Sequence, residues 1–359
     1  MRSGCGKLFR SLLTIAIFAV VLGAGGGWFF WRALTAPFKG YPEPKKDVEV
    51  RKGQHTATVL RHLEEQGVLR DHYIPLVYIK IARHRDSIKA GVYEFSKPMS
   101  AAEVIDKLIR GDVILKTVTV REGLDRFTVG HIFASEGFGK QAEWDKLTAD
   151  PELIRDLAPD APTLEGYLFP DTYKFVPGTP AATIVAAMVQ NFRHHFGPEL
   201  AYITTGLNAH QTVTLASIVE TEARLPQERP LVASVYLNRL HKNMLLGADP
   251  TVIYALKLAQ RWDGNIHKAD LQIDSPFNTY RVRGLPPGPI ANPGLASLRA
   301  AAAPAKSEFL YFVAKHDGSH AFSTNIEEHN RNVQIYQIDW YRQQRTAARM
   351  PDSALSTQH

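Results

Sequence analysis

From Ser11 to Trp31 no side chain carries a charge, and the apolar residues show no polar face. As a helix, those 21 residues rise about 1.5 Å each and cross the roughly 30 Å of a bilayer's hydrocarbon. Trp28, Phe29, Phe30 and Trp31 close the run as an interfacial aromatic belt would. Thr35 to Lys46 holds three prolines and a glycine and reads as a short stiff linker. From there the pattern changes to short alternating and helical stretches. VEVRKG at 48–53 returns as VTVREG at 118–123, an offset of 70; Thr58, Val59 and Gly67 return as Thr128, Val129 and Gly137. Each copy predicts a strand, a glycine turn, a helix and a glycine that stops it. Between them lie a helix near Tyr73–Ala82, a strand at Ala90–Phe95 and a helix at Ser100–Ile109 halted by Gly111.

After Pro151 the chain becomes aromatic and turn-rich around Glu165–Tyr173. Helices follow at Ala181–His195, from about Ala209 to Arg224, and from about Glu228 to Lys242. Ala182, Ile184, Val185, Met188, Val189 and Phe192 form the apolar face of the first. Ser275–Gly294, rich in proline and glycine, is a long shaped loop. A helix at Leu295–Ala303 and a hairpin of Phe309–Lys315 with His320–Ser323, turning at Asp317-Gly318, complete the pattern. The fold class is therefore α+β, with an N-terminal transmembrane helix and a small α+β region ahead of a mixed α+β domain. Asp249, before Pro250, is placed to cap a helix beginning at Thr251.

Charge sharpens the topology. The 359 residues carry a net charge of +6, but Arg2, Lys7, Arg10 and Arg32 put +4 of it in the first 35 residues and leave +2 for the rest. No dense basic stripe remains, which argues against a nucleic-acid partner. Basic residues ahead of an apolar span prefer the cytoplasm, so the N-terminus is expected inside and the bulk of the chain outside. A cleaved signal peptide is the rival reading; the four aromatics soon after the small residues make a poor mature start. The single cysteine, Cys5, excludes an internal disulfide framework.

Phosphate-loop, zinc-helix and nucleophile-elbow motifs are absent from the sequence. The helix TVTLASIVETEAR at 212–224 carries the chemistry worth weighing. Glu220 shares a face with Val213, Ala216, Ser217 and Ala223, small neighbours that let a bulky ligand approach. Burial there would raise the carboxyl's pKa, as a general acid requires; from the helix alone, a carboxylate satisfied by structural hydrogen bonds is the favoured alternative. Glu222 falls with Leu215, Ile218 and Val219, and pairing with Arg224 or Arg229 is its expected role, with catalysis second. His316, His320 and His329 with Glu327 and Glu328 group too loosely for a metal, and adjacent His194 and His195 point to different faces. No metal is assigned.

Taken together, the motifs resemble the endolytic murein transglycosylases. The resemblance rests on EGYLFPDTY (165–173), LASIVETEA (215–223), ERPLVASVYLNRL (228–240), ADPTVIYAL (248–256), SPFNTYRVRGLPPGPIANPG (275–294) and YFVAKHDGSHAFSTNIEEHN (311–330). One departure is Thr221, where relatives often carry lysine. The resemblance implies residues 1–10 in the cytoplasm, 11–31 as a single pass through the inner membrane and 32–47 as linker, with the catalytic domain in the periplasm. A LysM-like α+β region at 48–160, a catalytic transglycosylase domain at 161–345 and a flexible tail at 346–359 complete the implied division.

It also implies that Glu220 is the catalytic acid/base of a lyase without cofactor. That enzyme would cut the MurNAc–GlcNAc β-1,4 bond within peptidoglycan glycan strands and leave 1,6-anhydroMurNAc ends. Peptidoglycan synthases or the elongation and division machinery are the implied partners. Glu222, Tyr167, Tyr173, Asn278, Tyr280 and Asn325 are candidate substrate contacts, the tyrosines by stacking on sugars and the asparagines by hydrogen bonding. Phe169 of the same motif reads as core. A non-catalytic peptidoglycan-binding scaffold and a hydrolytic muramidase are the alternatives.

Overall fold

The structure is a computed structural model that describes residues 4–82 and 88–342. The expected tail at 346–359 lies outside the described residues, as do the first three residues. The chain divides into two compact units: residues 1–116 with 174–177, and residues 117–173 with 178–359. That division falls inside the 48–160 region, because the second copy of the repeat belongs with the residues downstream.

Unit 1 begins with α1 (Gly4–Thr35), which extends the apolar run by a turn or more at both ends. Leu13, Phe18, Trp28 and Trp31 of α1 are exposed. Its Ala16–Thr35 segment is long and apolar enough to cross a membrane, a test that an anchor and a signal sequence both meet. Four elements then follow in the order strand, helix, helix, strand: β1 (Lys46–Val50), α2 (Thr56–Glu65), α3 (Tyr73–Ile81) and β2 (Gly91–Phe95). β1 pairs antiparallel with β2, with Val48 opposite Tyr93. Alternate residues Val48 and Val50 point inward and meet Leu60, Leu63, Tyr93 and Phe95 in the core. α4 (Ala101–Arg110) completes the unit. Ser100 and Glu103 cap it reciprocally and Gly111 ends it in the left-handed conformation.

The segment expected to be a linker is seated on this unit. Phe38 bridges to Met99, Gly40 N–H donates to Gly67 O, and buried Tyr41 donates its hydroxyl to Phe95 O. The proline-rich composition suggested only stiffness; these contacts make it part of the unit's wall.

The strand-helix-helix order recurs as β3 (Lys116–Thr119), whose first residue closes unit 1, followed in unit 2 by α5 (Arg126–Ser135) and α6 (Gln141–Ala149); β4 (Thr172–Phe175) begins in unit 2 and ends in unit 1. The expected helix-stopping glycines are both left-handed, Gly67 at φ +71 and Gly137 at φ +84. Five helices follow: α7 (Ala181–Phe196), α8 (Ala209–Glu222), α9 (Arg229–His241), α10 (Asp249–Leu258) and α11 (Leu295–Ala302). The hairpin β5 (Tyr311–Ala314) with β6 (His320–Ser323) and α12 (Ile326–Val333) come last. α7 buries Ala181 where Ala182 was expected, and otherwise uses the apolar face read from the sequence. α8 is buried from Thr212 through Val219, packed against α11 and α9, so only its first and last turns reach the surface. The last turn carries Glu220 and Glu222.

Asp249 does not cap the helix from outside. α10 starts at Asp249 itself, with Pro250 in its first turn, and the Asp249 carboxylate accepts the Tyr280 hydroxyl at 2.6 Å.

Candidate active site

α8 owes its depth to its composition. Asn208 and Gln211 form a reciprocal cap at its start. Thr212, Thr214 and Thr221 return their hydroxyls to carbonyls three or four residues back, so polar residues are carried through the core without loss. Thr221, the family departure, therefore serves the helix itself. Ser217 Oγ accepts Ile290 N–H at 3.0 Å and fastens the 275–294 loop to the helix.

At the helix end both oxygens of Glu220 are held. Oε1 accepts from Arg229 Nη2 at 2.9 Å and Oε2 from the backbone N–H of Gly294 at 3.0 Å. The pair is nearly dry, with the Glu220 side chain 5% and the Arg229 side chain 11% exposed. Arg229 is thus the partner of Glu220; its expected pairing with Glu222 does not form. The same Nη2 also reaches Glu122 Oε2 at 3.4 Å, so two carboxylates share one cation. Burial and the charge of Glu220 push the Glu122 carboxyl up, and Arg229 partly offsets them.

Glu222 faces elsewhere. It accepts the Tyr236 hydroxyl at 3.3 Å, and burial together with Asp249 pushes its carboxyl up to about 7. Tyr280 and Arg239 lie within electrostatic reach of this second group. The turn from residue 220 to residue 222 therefore separates two acidic groups on different faces of α8.

A third carboxyl, Glu165, is fully buried and pushed up to about 8, mainly by burial. It accepts Arg126 N–H and Asn292 Nδ2 at 3.0 Å each. Asn292, wholly enclosed, joins three loops. Its Oδ1 accepts from Gly166 and Leu168 N–H, and its Nδ2 donates to Leu124 O as well as to Glu165. Its carbonyl accepts Gly123 N–H at 2.9 Å, fixing the residue next to Glu122. A cavity of about 100 Å³ opens beside Gly123 and Thr221, walled by Ile290, Tyr254 and the Asp125–Lys257 ion pair. A Cβ at Gly123 would lie 3.6 Å from Glu220 Cγ, so Gly123, which lines this cavity, also neighbours the Glu220 side chain.

The other candidate contacts are spent on structure. Tyr167 is enclosed: its hydroxyl meets His210 Nδ1 at 2.9 Å, and His210 Nε2 donates to Pro287 O. No face of that ring is open to a sugar. Tyr173, also buried, donates to Phe169 O. Phe169 stacks on His195. Asn278 is enclosed and donates to Leu271 O and Ile273 O while accepting Tyr280 N–H. Asn325 is exposed, but its Oδ1 caps α12 through Glu328 N–H. Tyr280 alone among these rings is half-open, next to Asp249. The histidines of the hairpin and α12 go separate ways: His316 stacks on Trp340, His320 bonds Glu228, and His329 stacks on Tyr311. Among the described residues no three metal-ligating side chains converge.

A buried glutamate at a helix end, gripped by an arginine and a backbone N–H beside a cavity, can deliver and retrieve a proton. The comparisons identify the family. The YceG-like family model matches residues 48–335. An endolytic murein transglycosylase of Bacillus subtilis (strain 168) is 32% identical over 330 residues, covering 87% of this chain and 90% of the relative. The chain belongs to this family. A relative of the same name from Streptococcus pneumoniae serotype 2 is 30% identical, covering 90% of this chain and 64% of the relative. The crystal structure of a putative YceG-like protein from Listeria monocytogenes superposes with a TM-score of 0.54 at 33% identity. That match covers 80% of this chain and 98% of the other.

Within this family fold, Glu122, Asn292 and Gly294 were not singled out by the sequence, and Arg229 was given to the wrong glutamate. Their link to Glu220 spans loops far apart in the chain, where helical spacing carries no information. One signal was present: Glu122 ends the second repeat copy just before its glycine turn.

Proposed function

We propose that this chain is a lytic murein transglycosylase that cuts the MurNAc–GlcNAc β-1,4 bond within glycan strands, with Glu220 as its one acid/base. The nearly dry Glu220, held at both oxygens at the surface end of α8, carries the reading. In its acid form Glu220 protonates the glycosidic oxygen as the bond to MurNAc C1 breaks and C1 gains oxocarbenium character. The carboxylate then takes the proton of the same sugar's C6 hydroxyl, whose oxygen bonds C1. Glu220 regains its proton, no water is consumed, and the strand ends in 1,6-anhydroMurNAc. An intramolecular nucleophile competes well with water because its effective concentration is very high.

In this reading α1 is a retained anchor with its basic end in the cytoplasm, so the catalytic unit works in the periplasm near peptidoglycan synthases. The β1–α2–α3–β2 arrangement of unit 1 supports a LysM-like module that grips glycan.

Glu122 beside Glu220 gives a conventional two-carboxylate hydrolase its one structural argument. Mass spectrometry of purified glycan strands after digestion separates the two. Anhydro ends, lighter by one water, are expected from the wild type and none from Glu220→Gln; reducing MurNAc ends would overturn the mechanism. Undiminished biological effect with Glu220→Gln would support a scaffold instead. A reporter fused after Lys46 is expected to be active only outside the cytoplasm.

A further inference from the structure

Gly294 has no conformational need to be glycine: its φ of −76 and ψ of 168 suit any residue. Space explains it. A Cβ there would fall 1.8 Å from Glu122 Oε1 and 2.1 Å from its Cδ, so the absent side chain makes the seat for the Glu122 carboxylate. The seat holds that carboxylate within 3.4 Å of Arg229, the cation that Glu220 also uses. Arg229 grips both through one nitrogen, and its buried Nε has no partner among the described residues. A guanidinium held that way can turn from one carboxylate to the other, whereas a bidentate fork would lock it.

Resting on the transglycosylase reading, we propose that Glu122 is a positioning residue that draws Arg229 away from Glu220 and so lets Glu220 carry the proton that strand cleavage consumes. Two carboxylates and one guanidinium leave a net single negative charge, which one proton neutralises. With Glu122 present, Arg229 keeps a counter-ion while Glu220 is in its acid form. The groups facing the pair are Arg229 from α9 and the Gly294 N–H at the start of α11. The Asp125–Lys257 pair lines the adjoining cavity. Without Glu122, Arg229 belongs wholly to Glu220 and favours its carboxylate form.

The test is a pH–rate profile of the full-length protein in detergent on purified glycan strands. Glu122→Gln is expected to lower kcat near neutral pH about tenfold with little change in KM, moving the alkaline limb about one unit lower. Glu122→Asp is expected to restore much of that limb. Gly294→Ala keeps every charge and the N–H but displaces the Glu122 carboxylate, and is expected to reproduce the Glu122→Gln profile. It therefore decides the matter should Glu122→Gln fold poorly by circular dichroism. Wild-type profiles from both variants, or a lower kcat with an unmoved alkaline limb, would overturn the proposal. Failure of this inference alone shows as anhydro ends from wild type and variants alike at equal rates; an inert wild type removes both readings together.

Discussion

Arg229 Nη2 lies 2.9 Å from Oε1 of Glu220, so the last turn of α8 presents an ion pair where its sequence presents a solitary acid in an apolar run. Burial of both partners makes that pair costly to break from one side. Arg229→Gln strands the Glu220 charge and is expected to cost about 3 kcal/mol in denaturant unfolding. Adding Glu220→Gln removes the stranded charge, and most of the loss should return. Equal instability of the single and double variants would show that Arg229 acts through its other contacts.

Tyr167 presents the opposite case, a candidate sugar contact that the fold encloses. Its ring is enclosed and packs edge-on against Phe192, and its hydroxyl bonds His210. Tyr167→Phe removes that bond and leaves the histidine nitrogen without a partner, for an expected loss of about 1–2 kcal/mol. Strand cleavage measured by mass spectrometry should stay at the wild-type rate. A raised KM at unchanged stability would return the ring to the substrate.

These two residues mark what was legible in the sequence and what was not. Periodicity found α7, whose buried residues recur at helical spacing, whereas α8 and α9 were legible as apolar runs and the β5–β6 hairpin through its Asp317-Gly318 turn. It missed α6, whose buried residues are only Trp144 and Thr148, and α12, which buries none. The repeat was legible through its glycines, which mark backbone geometry directly. Glu220 stood out because its helix is otherwise nearly uncharged. Glu122, Asn292 and Gly294 reach the same place from loops separated from it by about a hundred residues or by the shaped loop's irregular path. The aromatic motif at 165–173 was read as cleft because aromatics serve cores and sugars alike, and composition does not choose between them.

Acid strength gives a further test. Folded Glu165 keeps its proton up to about 8, whereas the ordinary value is 4.5. Glu222 behaves likewise up to about 7. Between the ordinary and the raised values the folded protein binds more protons than the unfolded chain, so stability falls as pH rises. The melting temperature is therefore expected to decline from about pH 4.5 to about pH 8, with Glu165→Gln flattening the decline. An equally steep profile in that variant would mean the proton sits elsewhere.

Asn292 is the point where stability and chemistry meet. Truncating it to alanine leaves the Gly166 and Leu168 N–H groups without their partner and takes one of their donors from Leu124 O and from the Glu165 carboxyl, four hydrogen bonds in a buried site. At about 1 kcal/mol for each lost bond, the variant is expected to be destabilised by about 4 kcal/mol, less whatever the loops recover by shifting. The backbone bond from Gly123 N–H to the Asn292 carbonyl depends on the same loop staying in place. Once it loosens, Glu122 is no longer held against Arg229. Asn292→Ala should therefore lower the unfolding midpoint in denaturant and, below that midpoint, move the alkaline limb of the cleavage profile in the same direction as Glu122→Gln. A stability loss with the limb unmoved would separate the scaffold from the acid, and would mean that the Glu122 loop is positioned by Gly294 alone.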